Sequence, residues 1–381
     1  MRLVPIATLP EDARLARDIL TGRDAAPLLR AGVTLNARFI DHLHKAAVQA
    51  VWIDDEYSRG IDPVPVLSAH TRAQATRVLS ALHAEAKEAA RAGRSLDPES
   101  TDDLSDVVDH ILEEIEQHDG KAVVLADLCG ASAYDLQHPV DVAALGLLVG
   151  RRLITEHGWL DYKGDRQDDR HEERLFRLGM GLMLHDIGKL ALPDSILHKP
   201  GPLSEEEWEI VKTHPKAGAK LVRDTGVWDP LVQASILRHH ERWNGSGYPD
   251  GKSGTDVHEM ARIAAVADTF DAITSERVFA PAKPAHVGVQ TILAGSGTLF
   301  DPTICEAFSV RVAPFPPGME VELSDGRRAV VVSVPDFEPD RPVLRVITGP
   351  GAPFDVSLQS DPGIQIAGWH SFAAGAAAQA A

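Results

Sequence analysis

Seven residues stand out by type and setting: His138, His185, Asp186, His214, His239, His240 and Asp268. His185 and Asp186 sit between Leu182-Met183-Leu184 and Ile187-Gly188-Lys189, and Asp268 follows Ile263-Ala264-Ala265-Val266-Ala267. A carboxylate among such apolar neighbours is costly to bury unless it is paired or holds a metal. One histidine on an apolar face is usually a satisfied core residue, and His-Asp dipeptides arise by chance. Two aspartates in near-buried settings, together with imidazoles from several segments, instead form the donor set of a metal site inside a helical bundle. The other histidines considered, His110, His118, His157, His171, His198 and His258, lie in polar or turn contexts and read as surface residues.

The donor types narrow the metal. Imidazole and carboxylate without thiolate suit iron, manganese, zinc, nickel or cobalt rather than a structural zinc, which would recruit cysteine. Successive residues of a helix project about 100° apart, so Asp186 can bridge two ions while His185 binds one. His239 and His240 can face one centre only where their helix becomes irregular, and Trp243-Asn244-Gly245-Ser246-Gly247 ends it close by. Two metals so held would clamp a phosphodiester and lower the pKa of a bridging water, supplying hydroxide near neutral pH. Hydrolysis is the reaction this chemistry favours.

The elements that must carry these residues fall into composition regimes. Residues 1–62 combine strand-like runs (Arg2 to Ala7, Ala50 to Ile53) with a helical pattern at Phe39, Leu43, Ala46 and Ala47, a small α+β module. Residues 63–119, rich in Ala, Arg, Glu and Leu, read as connecting helices with a solvated charged face. A homodimer seam is the sharper alternative for that face. Residues 120–310 hold helix patterns punctuated by Gly and Pro, with a capping box at Ser204 and Glu207 and a helix restart at His214-Pro215. Residues 311–370 switch to period-two and β-branched runs across an Asp325-Gly326 turn, a small β module, and 371–381 form an alanine-rich tail expected to be disordered. The fold class is therefore mainly α, with a central helical bundle flanked by small modules.

Composition excludes several functions. With 56 acidic and 38 basic side chains the formal charge is −18, which disfavours adhesion to nucleic acid or anionic membrane. An anionic ligand must be gripped locally by metals or a few cations. The two cysteines, Cys129 and Cys305, form no C-x-x-C pair and point to a reducing compartment. No apolar window is long enough to span a bilayer, and a cytoplasmic protein is the expectation.

The strings His185-Asp186-Ile187-Gly188-Lys189, His214-Pro215, His239-His240-Glu241-Arg242-Trp243-Asn244-Gly245-Ser246-Gly247-Tyr248-Pro249 and Ala267-Asp268-Thr269-Phe270-Asp271-Ala272 closely resemble the HD-GYP family of bacterial cyclic di-GMP phosphodiesterases, a branch of the HD metal-phosphohydrolases. The similarity spans residues 120–310, and the long second histidine string makes it specific. The resemblance implies that His138, His185, Asp186 and Asp268 hold one divalent transition metal. It implies that His214, His239 and His240, with bridging Asp186, hold a second, iron or manganese foremost. It assigns Lys189 to the scissile phosphate, Arg277 to a substrate phosphate, and Tyr248 in the Gly247-Tyr248-Pro249 loop to the pocket. That same loop is implied to meet a diguanylate cyclase or other signalling partner.

Three departures qualify the match. Position 134 is Tyr where members with a third metal carry Glu, so a binuclear site is expected. Arg277 is followed by Val278-Phe279-Ala280 in place of the family's Pro-Tyr-Arg, leaving Lys283 as the remaining basic candidate. Pro139 replaces a small hydroxyl residue, a change tolerable at a helix start. The leading expectation is hydrolysis of cyclic di-GMP to pGpG or GMP. The alternatives are a phosphohydrolase of another nucleotide, such as cyclic GMP-AMP, or a signalling scaffold that binds without turnover. Burying so many polar groups argues against a pure scaffold.

Overall fold

The computed structural model describes residues 1–20, 27–46, 48, 50–118, 134–161, 163–275, 277, 282–336, 338–361 and 363–369. Cys129, Val278-Phe279-Ala280 and the alanine tail lie outside them. The chain opens with β1 (Arg2–Pro5), β2 (Arg14–Leu15), β3 (Ile19–Leu20), β4 (Pro27–Leu29), α1 (Ala37–Lys45) and β5 (Ala50–Asp54). β5 pairs antiparallel with β1 on one side and β2 on the other, and Leu43 of α1 is buried with Val4, Leu15 and Ile53. Asn36 caps α1 by accepting from the Phe39 N–H at 3.0 Å.

The bundle comprises α2 (Ala69–Ala92), α3 (Asp102–Glu116), α4 (Tyr134–His157), α5 (His171–Leu184), the short α6 (Asp194–Leu197), α7 (Glu205–Val211), α8 (His214–Leu221), α9 (Pro230–Arg238), α10 (Glu259–Thr274), α11 (Ala285–Ala294) and α12 (Pro302–Arg311). The small hairpin β6 (Trp159–Leu160) and β7 (Arg166–Gln167) joins α4 to α5. α5 packs on both α4 and α9, and α10 packs on the same two helices, so four helices close a ring. Their apolar faces meet in one core that includes Leu145, Leu178, Leu182, Ile236, Ile263 and Phe270.

Residues 63–119 depart from the expectation of connectors. α2 packs against α3 and α4, and α3 against α4 and α5. Ala75, Leu79, Leu82, Ala86 and Ala89 are buried in the main core with Leu104, Val107, Val108 and Ile111 of α3. The inward stripe of α2 is mostly alanine, whose weak hydrophobicity hides a buried face while its small size lets helices approach closely. Arg72 pairs with Asp141 at 2.6 Å and Gln137 donates to Thr76 at 2.8 Å, tying α2 to the start of α4.

Two further local expectations change. Pro139 lies within α4, in its second turn, where it cannot donate the hydrogen bond to the Asp135 carbonyl. His258 is partly buried, its Nδ1 capping α10 by accepting from the Met260 N–H at 3.3 Å while Nε2 donates to the Leu160 carbonyl at 3.0 Å.

The chain ends with β8 (Glu320–Leu323), β9 (Arg328–Ser333), β10 (Val343–Val346), β11 (Phe354–Ser357) and β12 (Ile366–Trp369), an antiparallel sheet ordered β11-β10-β9-β8-β12. The two terminal modules dock on each other. The Leu3 N–H donates to the Gly318 carbonyl at 2.9 Å, and the buried Arg2 guanidinium bonds Glu320 at 2.8 Å and Asp55 at 2.7 Å. Among the described residues no helix is long and apolar enough to cross a membrane. Removing one partner of a buried ion pair costs about 3 kcal/mol. Arg2→Ala is therefore expected to lower the unfolding free energy of the docked modules by that order, seen as a lower urea midpoint at unchanged slope in near-ultraviolet circular dichroism.

Candidate metal centre

Each side of the helical ring delivers part of one donor cluster. His138 comes from the first turn and a half of α4, and Asp268 from the middle of α10. His185 and Asp186 lie where α5 gives way to a 3-10 turn over Ile187–Ala191, so the change of helix type, rather than helical spacing alone, aims both side chains. His239 is the residue on which α9 ends, and His240 follows in the turn beyond it. His214 opens α8, with Pro215 in the first turn, where its missing N–H costs nothing.

All seven residues converge. In one half the Nε2 atoms of His138 and His185 are 3.2 Å apart, with Asp186 Oδ2 at 3.4 and 3.3 Å from them and Asp268 Oδ1 at 3.3 and 4.0 Å. In the other half the Nε2 atoms of His214 and His239 are 3.3 Å apart, with Asp186 Oδ1 at 3.2 and 3.7 Å. The His240 ring lies 4.1 Å from that of His239, and its Nδ1 is 3.8 Å from Asp268 Oδ2. Asp186 thus turns one carboxylate oxygen to each half and belongs to both groups of convergent donors.

The outer contacts orient the rings. Nδ1 of His185 donates to the Leu182 carbonyl at 2.7 Å, Nδ1 of His214 to the Val211 carbonyl at 2.8 Å, and Nδ1 of His239 to the Ser235 and Ile236 carbonyls at 3.1 Å. A carbonyl only accepts, so the proton sits on Nδ1 and the Nε2 lone pair points inward. His138 uses a carboxylate for the same purpose, its Nδ1 lying 2.5 Å from Asp271 Oδ2 and 3.1 Å from the Tyr134 hydroxyl. Tyr134 also stacks on His138 at 4.9 Å.

Electrostatics divide the site. Burial opposes a charge on His138, yet Tyr134 and the carboxylates of Asp186, Asp268 and Asp271 outweigh it and raise its pKa well above the ordinary value. Burial pushes His239 down to about 4, and His240 falls well below its ordinary value, first from burial and then from His239. Burial would raise Asp186 and Asp268, but Lys189 and the surrounding histidines hold Asp186 low, and His138 and His240 hold Asp268 low. The carboxylate-rich half therefore recruits positive charge, and a proton on His138 and a divalent cation compete for that place. Asp186 Oδ1 is buried and accepts no hydrogen bond, a deficit that an electrophile between the imidazoles would remove. Nitrogen and oxygen donors without thiolate fit a divalent transition metal.

Other assigned residues sit around this cluster. Lys189 Nζ lies 2.5 Å from Asp186 Oδ2, and although burial works against its charge, Asp186 and Asp268 raise its pKa. Gly188 makes this turn fit: a Cβ there would lie 2.0 Å from the His214 carbonyl oxygen and 2.4 Å from the Gly218 nitrogen. The Tyr248 ring covers the second half, 4.6 Å from His240 and 6.4 Å from His214. Its loop is anchored by Glu241, whose carboxylate accepts from the Asp250 and Lys252 N–H groups at 2.8 and 3.0 Å. Arg277 is half-buried and makes no hydrogen bond or ion pair with the seven residues, and Lys283 is exposed. Sequence reasoning did not assign Asp271, Gly188 or Glu241. The signal for Asp271 was its position three residues after Asp268, on the same face of α10.

A family model described as HD domain matches residues 144–304. The chain is 32% identical over 329 residues to the cyclic di-GMP phosphodiesterase PA4108 of Pseudomonas aeruginosa, covering 80% of this chain and 74% of that one. This chain belongs to the HD-GYP family. Over 139 residues this HD-GYP protein is 43% identical to the cyclic di-GMP phosphodiesterase response regulator RpfG of Xanthomonas campestris pv. campestris, spanning 36% of each chain. It is 38% identical over 124 residues to the 3'3'-cGAMP-specific phosphodiesterase 2 of Vibrio cholerae, spanning 32% of this chain and 24% of that one.

Two substitutions test how the HD-GYP centre is held. Asp271→Asn removes the carboxylate that orients His138 and is expected to weaken metal affinity about 10- to 100-fold, read by competition with a chromophoric chelator. Gly188→Ala forces the 3-10 turn away from α8 and should also reduce metal loading, measured by elemental analysis, although no donor atom is altered.

Proposed function

We propose that this HD-GYP protein hydrolyses cyclic di-GMP to pGpG or GMP at the His and Asp centre. The observation that carries the reading is Asp186, one carboxylate shared by two groups of inward-facing imidazoles. We assign His138, His185, Asp186 and Asp268 to one divalent transition metal and His214, His239, His240 and Asp186 to a second, with iron or manganese the metals of choice. When bound, such ions supply Lewis acidity toward phosphate oxygens and toward water.

The chain's own residues do the rest. Asp186 and Asp268, ionised throughout the neutral range, keep the centre anionic enough to hold two dications. Lys189 stays protonated because its pKa is raised, so its part is to neutralise charge developing on phosphate oxygens. A proton donor would need a pKa nearer the working pH. Tyr248 lines one side of the second half, its ring 4.6 Å from that of His240. Relatives named for cyclic di-GMP support the substrate. The relative named for 3'3'-cGAMP, together with the exposed position of Lys283, gives cyclic GMP-AMP a place in any substrate panel.

Anaerobically purified protein is expected to carry about two metals per chain and to convert cyclic di-GMP to pGpG or GMP. Asp186→Asn should lower both the metal content and the rate, the latter by more than about a hundredfold. Elemental analysis and product chromatography provide the check. Metal-loaded wild type that leaves every cyclic dinucleotide intact would sink the reading.

A further inference from the structure

Helix α7 buries none of its residues, yet its start is fixed. Ser204 Oγ accepts from the Glu207 N–H at 3.2 Å, Glu207 accepts from the Ser204 N–H at 2.7 Å, and Lys199 bonds the same Glu207 carboxylate at 2.6 Å. The helix holds Trp208 with 45% of its surface exposed, an unusual setting for the largest apolar side chain. Its ring lies 6.1 Å from that of Tyr248 at an interplanar angle of 80°, and Tyr248 in turn lies 4.6 Å from His240. The two aromatic planes meet in a right-angled corner beside the second half of the metal centre.

We propose that Trp208 stacks on a purine base of the nucleotide whose phosphate occupies the centre, with Tyr248 as the perpendicular wall. This assignment rests on the phosphodiesterase reading and names a specificity contact within it. A base is separated from its phosphate by one sugar, and the corner is separated from the metal-binding imidazoles by one ring. A net charge of −18 gives no general attraction for an anionic ligand, whose grip must come from local contacts. The base beyond the phosphate is uncharged, and its π-face is what an exposed aromatic ring can bind. The capping box and the Lys199 ion pair fix the start of the helix that carries Trp208, so the backbone bearing the indole is set before the ligand arrives.

The assignment is tested by calorimetric titration of metal-loaded wild type, Trp208→Ala and Trp208→Phe with GMP and with ribose 5-phosphate, which keeps the sugar and phosphate but lacks the base. Loss of one stacking partner is expected to weaken GMP about tenfold or more in Trp208→Ala. Ribose 5-phosphate should bind as before, and Trp208→Phe should recover most of the GMP affinity. Unchanged GMP binding, or equal weakening of both ligands, overturns the assignment, and the former outcome hands the exposed indole to a protein partner. Base-dependent loss in a protein that leaves cyclic dinucleotides intact upholds the stacking while refuting the phosphodiesterase reading.

Discussion

Two carboxylates and five imidazoles cannot share a buried site without positive charge to balance them, and the rest of this fold is arranged around that constraint. Asp186 sits at the balance point, with one oxygen toward His138 and His185 and the other toward His214 and His239. Protons and Lys189 meet part of the demand, as the raised pKa of His138 and the Lys189–Asp186 contact show. A buried Oδ1 without a hydrogen bond marks what they leave unmet. The same imbalance that burdens the folded chain is the source of its affinity for cations.

Meeting this constraint requires donors from five separate segments to arrive together, and the ring of α4, α5, α9 and α10 supplies the rigidity. Except for Asp268, which sits mid-helix in α10, each donor lies where regular structure begins, ends or changes type. Backbone carbonyls freed at the end of α5, before α8 and at the end of α9 take the Nδ1 protons, so helix termini and ligand orientation solve each other's hydrogen-bonding problem. Gly188 and Gly218 then allow the 3-10 turn and α8 to touch backbone to backbone, which no side chain at position 188 would permit.

Outside the ring, α2 and α3 complete the core and brace the side that carries His138 and Lys189. The terminal modules keep cores of their own and meet through Arg2, Asp55 and Glu320, joining the two ends of the chain. Beside the second half of the centre, the loop pinned by Glu241 and the capped α7 bring Tyr248 and Trp208 together.

The candidate donors, the small modules at either end and the starts of two helices were legible in the amino-acid sequence, because apolar periodicity, capping residues and a histidine or aspartate inside an apolar run are local signals. The capping box at Ser204 and Glu207 and the helix restart at His214-Pro215 fall where local reasoning placed them. What only the tertiary structure decided depends on segments far apart in the chain. α2 is a core helix because its alanines meet other helices, and composition cannot distinguish that from a solvated face. Asp271 orients His138 across 133 positions, and Arg2 finds Glu320 across 318. The position of Asp186 between two groups of imidazoles is likewise a distance, not a motif. Sequence supplied the chemical types, and packing alone could set their separations, since the hydrophobic burial that positions them is pooled over the whole bundle.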